Sequence, residues 1–565
     1  MKLTPTYPGW TLNYEDLSNF RDISLTGAAS VDTSGSGGGD IQVQARRVTL
    51  TDGSVILTDT LGNCVGGNLT VRATDAVEAI GISANNPFYS GLFADITSQA
   101  TGTGGNLTIE TERLLVADGA QVGASTFGAG NAGYFTVRAT DIKLIGGSPF
   151  GLSGLFAQVA PGSTANAANF TIDTGRLQVS DGAQVAANTF GAGNAGSLTV
   201  RAKNVELIGT SPGGFPSGLL ANVEQGATGN GGNLVIESDR LRITDGAQVC
   251  AGTFGAGNAG NLRVRAKDVE ASRISSQGLS GLFTPSVDTG NGGTLTVDTQ
   301  CLRLADGAQI AVSTPGSGKA GDMILRASDS VELIGTSPLS RSGLFANAII
   351  GTGDGGNLRI STDKLIIRDG CSISASNFSS FNPDIPPGQG KAGNIQVQAD
   401  SILLDTLSDT LSSITASTDS GGGNIFLEVQ NITARNRSQI KAETFGSGDG
   451  GSVNISTDSL DLSDRALIST NSTRSGQAGN ITISADRIQS RRGEITATST
   501  QSGGGDINLS SDLLLLNQSL ISTSVLNSTG GGNITIDADS IVADQNSSIQ
   551  ESCCVWCGRE YTNCN

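Results

Sequence analysis

One short phrase recurs seventeen times along this chain: glycine, a small polar residue, then apolar-x-apolar, as in Gly105-Asn106-Leu107-Thr108-Ile109. The first apolar residue of each copy serves as an anchor, from Ile41 to Ile534. Up to Leu358 the steps between anchors mostly alternate between 28 and 33–38 residues, and after Ile395 they settle to 26–30. A longer repeat is superimposed on the first part. ADGAQV or a relative places its aspartate at Asp52, Asp118, Asp181, Asp245, Asp306 and Asp369, at spacings of 66, 63, 64, 61 and 63. SGLFA or a relative starts at Ser90, Ser153, Ser217, Ser280 and Ser342. The long unit is therefore two short ones, one with longer loops. Units of this kind cannot bury an apolar face alone, so neighbours stack to build a continuous core.

Each short unit holds three alternating segments. In one kind they are NLTIET, RLLVAD and AQVGAS; in the other, FTVRAT, IKLIGG and GLFAQV. Alternation of period two, rich in Leu, Val, Ile and Thr, is the strand signal. No stretch keeps a helical period, and 79 glycines would make helices costly. The expected fold is all-β: a right-handed, single-stranded parallel β-helix, or solenoid, of about 17 three-stranded rungs. The hand follows the usual rule for parallel crossovers. At ~4.8 Å per rung, the rod would be roughly 80 Å long. A propeller fits poorly, because its blades have four strands and close into a small ring. Four regions are expected: an irregular segment at 1–21, double-rung repeats at 22–394, single-rung repeats at 395–549, and a Cys-rich tail at 550–565.

The residue before the anchor is Asn at Asn68, Asn106, Asn169, Asn233, Asn261, Asn357, Asn394, Asn424, Asn480 and Asn533. Asparagines at one corner of successive rungs can hydrogen-bond along the axis as a ladder. The residue before that is Gly in sixteen of seventeen copies, with Ala168 the exception. That preference suits a corner with positive φ.

Candidate chemistry is sparse. G-x-G-x-x-G, the spacing that cradles a dinucleotide pyrophosphate, begins at Gly128, Gly191, Gly255, Gly316, Gly351, Gly388 and Gly446. A nucleotide fingerprint occurs once and opens a helix. These seven copies run into strands and read as turns, so no cofactor is expected. The six Asp-Gly corners are conceivable as a carboxylate column for Ca²⁺. Asp-Gly is also a preferred turn dipeptide, and no metal is expected. Four cysteines crowd the tail (Cys553, Cys554, Cys557, Cys564) at a spacing unlike a known zinc finger; a non-native end is the other reading. The chain has no histidine and a net charge of −18. A nucleic-acid partner is therefore disfavoured, and general base catalysis would need a tuned carboxylate or lysine. No apolar run approaches a membrane span. A β-helical carbohydrate-active enzyme is the alternative to a non-catalytic rod. It would show non-repeating paired carboxylates in a groove. The longer loops of alternate rungs are the expected ligand-facing surface, with Pro87, Phe88, Pro149, Phe150, Phe215 and Pro338 at their tips.

The run from Gly104 to Gly133, with IGTSP (Ile334 to Pro338) and SGLFA, resembles the cyanobacterial filamentous-haemagglutinin-like exoproteins, often labelled S-layer family proteins. The resemblance covers roughly Asp22 to Ile549. It implies a β-helical protein at the cell outer surface or outside the cell, acting in adhesion or aggregation on a carbohydrate or other surface ligand. It also implies two-partner secretion through an outer-membrane transporter of the Omp85 type. The family's secretion domain, with its NPNGI-like motifs, is not seen here. The chain therefore reads as a β-helical stalk cut from a longer exoprotein, or as a degenerate copy.

Overall fold

The computed structural model describes residues 2–6, 9–13, 19–84, 88–377, 388–525 and 531–551. Pro87, most of the loop Ser376 to Gly390 and the Cys-rich tail from residue 552 onward lie outside them. The described chain winds through eighteen turns of a parallel β-solenoid, with no helix. Each turn after the first gives one long strand, as Leu107–Ala117, and one short strand, as Gln121–Gly123. Long strands stack on long strands in parallel: Phe135 lies opposite Leu107 on one side and Phe170 on the other. Short strands do likewise, Val122 between Leu92 and Leu155. Single bridges form a third line through Ile96, Thr126, Val159 and Thr189.

Two expectations are refined. The first two alternating segments of each unit are one strand with a bend, not two strands. In Leu107–Ala117 the alternation breaks at the exposed pair Glu112 and Arg113. Pairing passes from Thr111 to Arg113 and skips Glu112, so the ladder survives the bend. There is also one turn more than seventeen. Ile23–Leu25 and Ser30–Asp32 form this further turn, paired in parallel with Ile41–Thr51 and Val55–Leu57 of the next, and lack the Gly-polar signature. The segment expected to be irregular contains an antiparallel pair, Lys2–Thr6 with Gly9–Asn13.

The main core is one apolar column, and a small second cluster of Ala186, Leu220 and Cys250 is buried apart from it. Leu107, Ile109, Leu114, Val116 and Val122 of a single turn all point inward and are buried. Burying each such side chain contributes roughly 1.5–3 kcal/mol. Only the turns above and below make that burial complete, which is why one turn cannot fold alone. Phe135 and Phe170, anchors of adjacent turns, stack at 4.1 Å with rings 5° apart.

The corners divide the work. At Asp118-Gly119 both residues have positive φ, 54° and 92°, and the other five Asp-Gly corners repeat this. That backbone is the type I′ turn, which Asp-Gly suits. The glycine before the Asn position is different. Of the glycines at this position only Gly423 has positive φ, 85°; Gly260 and the rest do not, so the reading above holds there alone. A Cβ on Gly260 would lie 1.9 Å from the carbonyl oxygen of Gly232, one turn below. Gly105, Gly293, Gly356 and Gly451 meet the same obstruction at 1.8–1.9 Å. Glycine stands there because two backbones touch.

Candidate functional site

The surface is organised in lines that run along the axis. The first is the Asn corner. Asn106 donates its backbone N–H to Asn68 Oδ1 at 3.0 Å, and its own Oδ1 accepts the Tyr134 N–H at 2.8 Å. Asn169, Asn233, Asn261, Asn357, Asn394, Asn424 and Asn480 accept the N–H of the next turn in the same way, at 2.8–3.1 Å. Asn533 donates its N–H to Asp506. A second ladder escaped sequence reading. Asn131, Asn166, Asn194, Asn230, Asn258 and Asn291 link in series by the same bond, at 2.9–3.0 Å. Several of these asparagines sit inside the G-x-G-x-x-G phrase; that was the available signal.

The second line is ionic. Three residues past the anchor, nine consecutive turns alternate in charge: Arg72, Glu110, Arg138, Asp173, Arg201, Glu237, Arg265, Asp298 and Arg326. Each contacts the next, from Arg72–Glu110 at 2.7 Å to Arg326–Asp298 at 3.0 Å, none longer than 3.9 Å. The hydrogen bond from Arg72 holds Glu110 below the usual carboxylate range. Likewise Arg47 and Arg113 hold Asp75 low, at 3.0 and 2.7 Å. Alternation of sign needs a two-turn unit, since a one-turn repeat would set like charge on like.

Beyond Arg326 the pairing stops and Ser361 takes its place in register. There the bend of the long strands forms a groove of about 810 Å³. Eight carboxylates line it and no Lys or Arg does. Asp363, Asp400, Asp458, Asp486, Asp512 and Asp539 occupy one repeat position, and Glu428 and Asp537 another. Gln430, at the remaining turn, donates to Asp400 at 3.1 Å. Like charges on adjacent turns lie roughly 4.8 Å apart. No group of three or more Cys, Asp or Glu set to hold a metal ion occurs among the described residues.

The third line is a crest of loops. On alternate turns the chain between long and short strands forms a small hairpin: Ile82 bridges Tyr89, Gly147–Ser148 pairs with Gly151–Leu152, Thr210 bridges Pro216, and Thr336 bridges Arg341. Phe88, Phe150, Phe215 and Leu339 stand at the tips, 60%, 62%, 55% and 58% exposed. Pro149 and Pro338 are exposed beside them. Neighbouring hairpins touch, and the Tyr89 hydroxyl donates to the Phe150 carbonyl at 3.1 Å.

The serine that opens SGLFA seats each hairpin on the turn below. Ser90, Ser153, Ser217, Ser280 and Ser342 accept the backbone N–H of Gly53, Gly119, Gly182, Gly246 and Gly307, at 2.8–2.9 Å. These are the glycines of the corners at Asp52, Asp118, Asp181, Asp245 and Asp306. The sixth corner, at Asp369, is seated by Ser412 at 3.1 Å. Corners of this kind recur only on alternate turns, roughly 9.6 Å apart. That is too far for two of them to share one cation bound at ~2.3–2.6 Å. Their carboxylates serve local bonds instead: Asp52 accepts Thr26 at 2.6 Å, and Asp245 holds Arg273 at 2.8 and 2.9 Å.

No protein family, curated protein or solved structure matches this chain.

Proposed function

We propose that this chain is a non-catalytic rod, a stalk segment that works at the cell outer surface or outside the cell in adhesion, aggregation or surface assembly. The observation that carries this reading is the periodicity of the surface. The asparagine ladders, the ion ladder and the six stacked groove aspartates all occupy repeat positions. A catalytic centre would need unique groups with separate acid and base roles. What projects from the rod is the crest of hairpins, and loops on a rigid scaffold are where recognition concentrates. The parallel solenoid also suits the filamentous-haemagglutinin-like exoproteins that the repeats resemble. Under that reading, an Omp85-type outer-membrane transporter is the export partner of the full-length protein.

The test is direct. Beads coated with the purified chain are expected to be retained on cells or polysaccharide-coated surfaces, without any change to the surface. Time-dependent release of reducing sugars or unsaturated products from a polysaccharide panel would overturn the rod in favour of a β-helical carbohydrate-active enzyme. Growth of the purified chain into ordered two-dimensional arrays would favour a surface-layer component.

A further inference from the structure

We infer that the hairpin crest binds an uncharged, extended β-linked polysaccharide, whose sugar rings stack on Phe88, Phe150 and Phe215. The inference rests on the rod reading and names its ligand class. Three phenylalanines stand more than half exposed at the tips of successive hairpins. A lone exposed apolar residue needs no explanation, but a row of them in one place marks an interaction surface. The hairpins sit on alternate turns of a rigid stack, so their tips recur every ~9.6 Å. Each is fixed from below by its serine, and the first two are joined by the Tyr89–Phe150 bond.

Charge and area choose the occupant. The chain carries −18 overall, yet residues 81–90, 146–153 and 209–217 contain no charged side chain. An anionic polymer would face the rod's negative field, to which the exposed Asp52, Asp118 and Asp181 of the corners beside the hairpins add. The rings are separated by Ser, Gly and Pro. They do not make the contiguous surface, ~800 Å² on each partner, that a stable protein interface needs. A pyranose needs less, because its row of C–H groups packs on one aromatic face. A β-linked chain turns the same face outward at every second sugar, so a periodic ligand meets a periodic crest. Several weak contacts on one rigid line then combine through effective concentration.

The experiment is a depletion assay of the whole chain on insoluble cellulose and chitin, with alginate as the anionic comparison. Binding to a neutral polymer and not to alginate is expected. The triple variant Phe88→Ala, Phe150→Ala, Phe215→Ala should bind at least tenfold more weakly, with unchanged circular dichroism because these tips lie outside the core. The triple Phe→Tyr variant should retain binding. Failure of the wild-type chain to bind either neutral polymer, or wild-type binding by the alanine variant, would overturn the inference. So would sedimentation equilibrium in which the wild type self-associates and the alanine variant is monomeric, which would assign the crest to a second copy of the chain. Release of soluble sugar during the assay would sink the rod reading while leaving the binding result intact.

Discussion

Ser217 Oγ accepts the backbone N–H of Gly182 at 2.8 Å, and both residues are buried. This bond ties the hairpin of one turn to the Asp-Gly corner of the turn below. It accounts for the two long-period phrases travelling together along the sequence. Ser217→Ala leaves a buried N–H without a partner, at a cost of ~1–3 kcal/mol. Hydrogen exchange should show faster exchange at Gly182 and its neighbours. Distant turns should be unaffected, since a solenoid couples mainly nearest neighbours.

Gly260 provides a sharper perturbation. An alanine there places Cβ 1.9 Å from the Gly232 oxygen, so the two turns must separate locally. We expect Gly260→Ala to destabilise by several kcal/mol, in the upper range for single substitutions. Gly226→Ala is the contrast. Its φ of 81° strains an alanine, but no atom lies within 4 Å of the new Cβ. Urea unfolding of the two variants should show the larger loss at Gly260, and an equal or smaller loss there would exclude backbone contact as the reason for glycine.

Arg201 stands between Asp173 at 3.4 Å and Glu237 at 3.2 Å. Arg201→Glu would set three acids in a row. Because the side chains are about half exposed, the expected loss is of order 1 kcal/mol at low salt. Screening shortens the reach of the repulsion to ~3 Å at 1 M salt, so the deficit should shrink as salt rises. A deficit independent of salt would assign Arg201 a packing role instead.

Asp59 and Asp95 lie on adjacent turns, and Asp59 Oδ1 accepts the Asp95 N–H at 2.9 Å. Burial pushes Asp95 up to about 7, and the Asp59 charge adds to the shift; burial also raises Asp59. The folded state then holds protons that the unfolded chain releases near pH 4. Their contribution to stability is complete below about pH 4 and is lost as pH rises toward 7. The ion ladder works in the opposite sense, since depressed carboxylates such as Glu110 lose stability as pH falls below the unfolded range. Stability of these turns should therefore peak on the acid side of neutrality. Asp95→Asn keeps an acceptor for the Ser125 N–H, a bond of 2.6 Å in the wild type. It should flatten the decline between pH 5 and pH 8; thermal melts across that range are the check.

The cysteines of the rod differ in reactivity by position. Burial pushes the Cys250 and Cys371 thiols up to about 12, while Cys64 is exposed. Alkylation of the native protein at pH 8, read by peptide mapping, should label Cys64 and spare the other two. Fast labelling of Cys250 would mean that the interior opens on the labelling timescale.

Much of this molecule was legible in the chain. Leu107 and Ile109, the two apolar residues of the alternating phrase, are both buried. The repeat, and from it the parallel stacking and the corner residues, were legible because one short phrase recurs in successive turns. The glycines of the G-x-G-x-x-G phrase that begins at Gly255 were visible as well, but their reason was not. Gly255, Gly257 and Gly260 would each press a Cβ within 2.5 Å of a carbonyl oxygen one turn below. The ion ladder, the second asparagine ladder and the groove acids keep fixed offsets from the anchor, so their residues were in view while their contacts were not, and the touching hairpins were hidden as well. Each depends on which residue lies directly above another, and turns here are separated by loops of unequal length. Local alternation sets what points inward; only the stacked register decides which charge meets which, and where two backbones leave no room for a side chain.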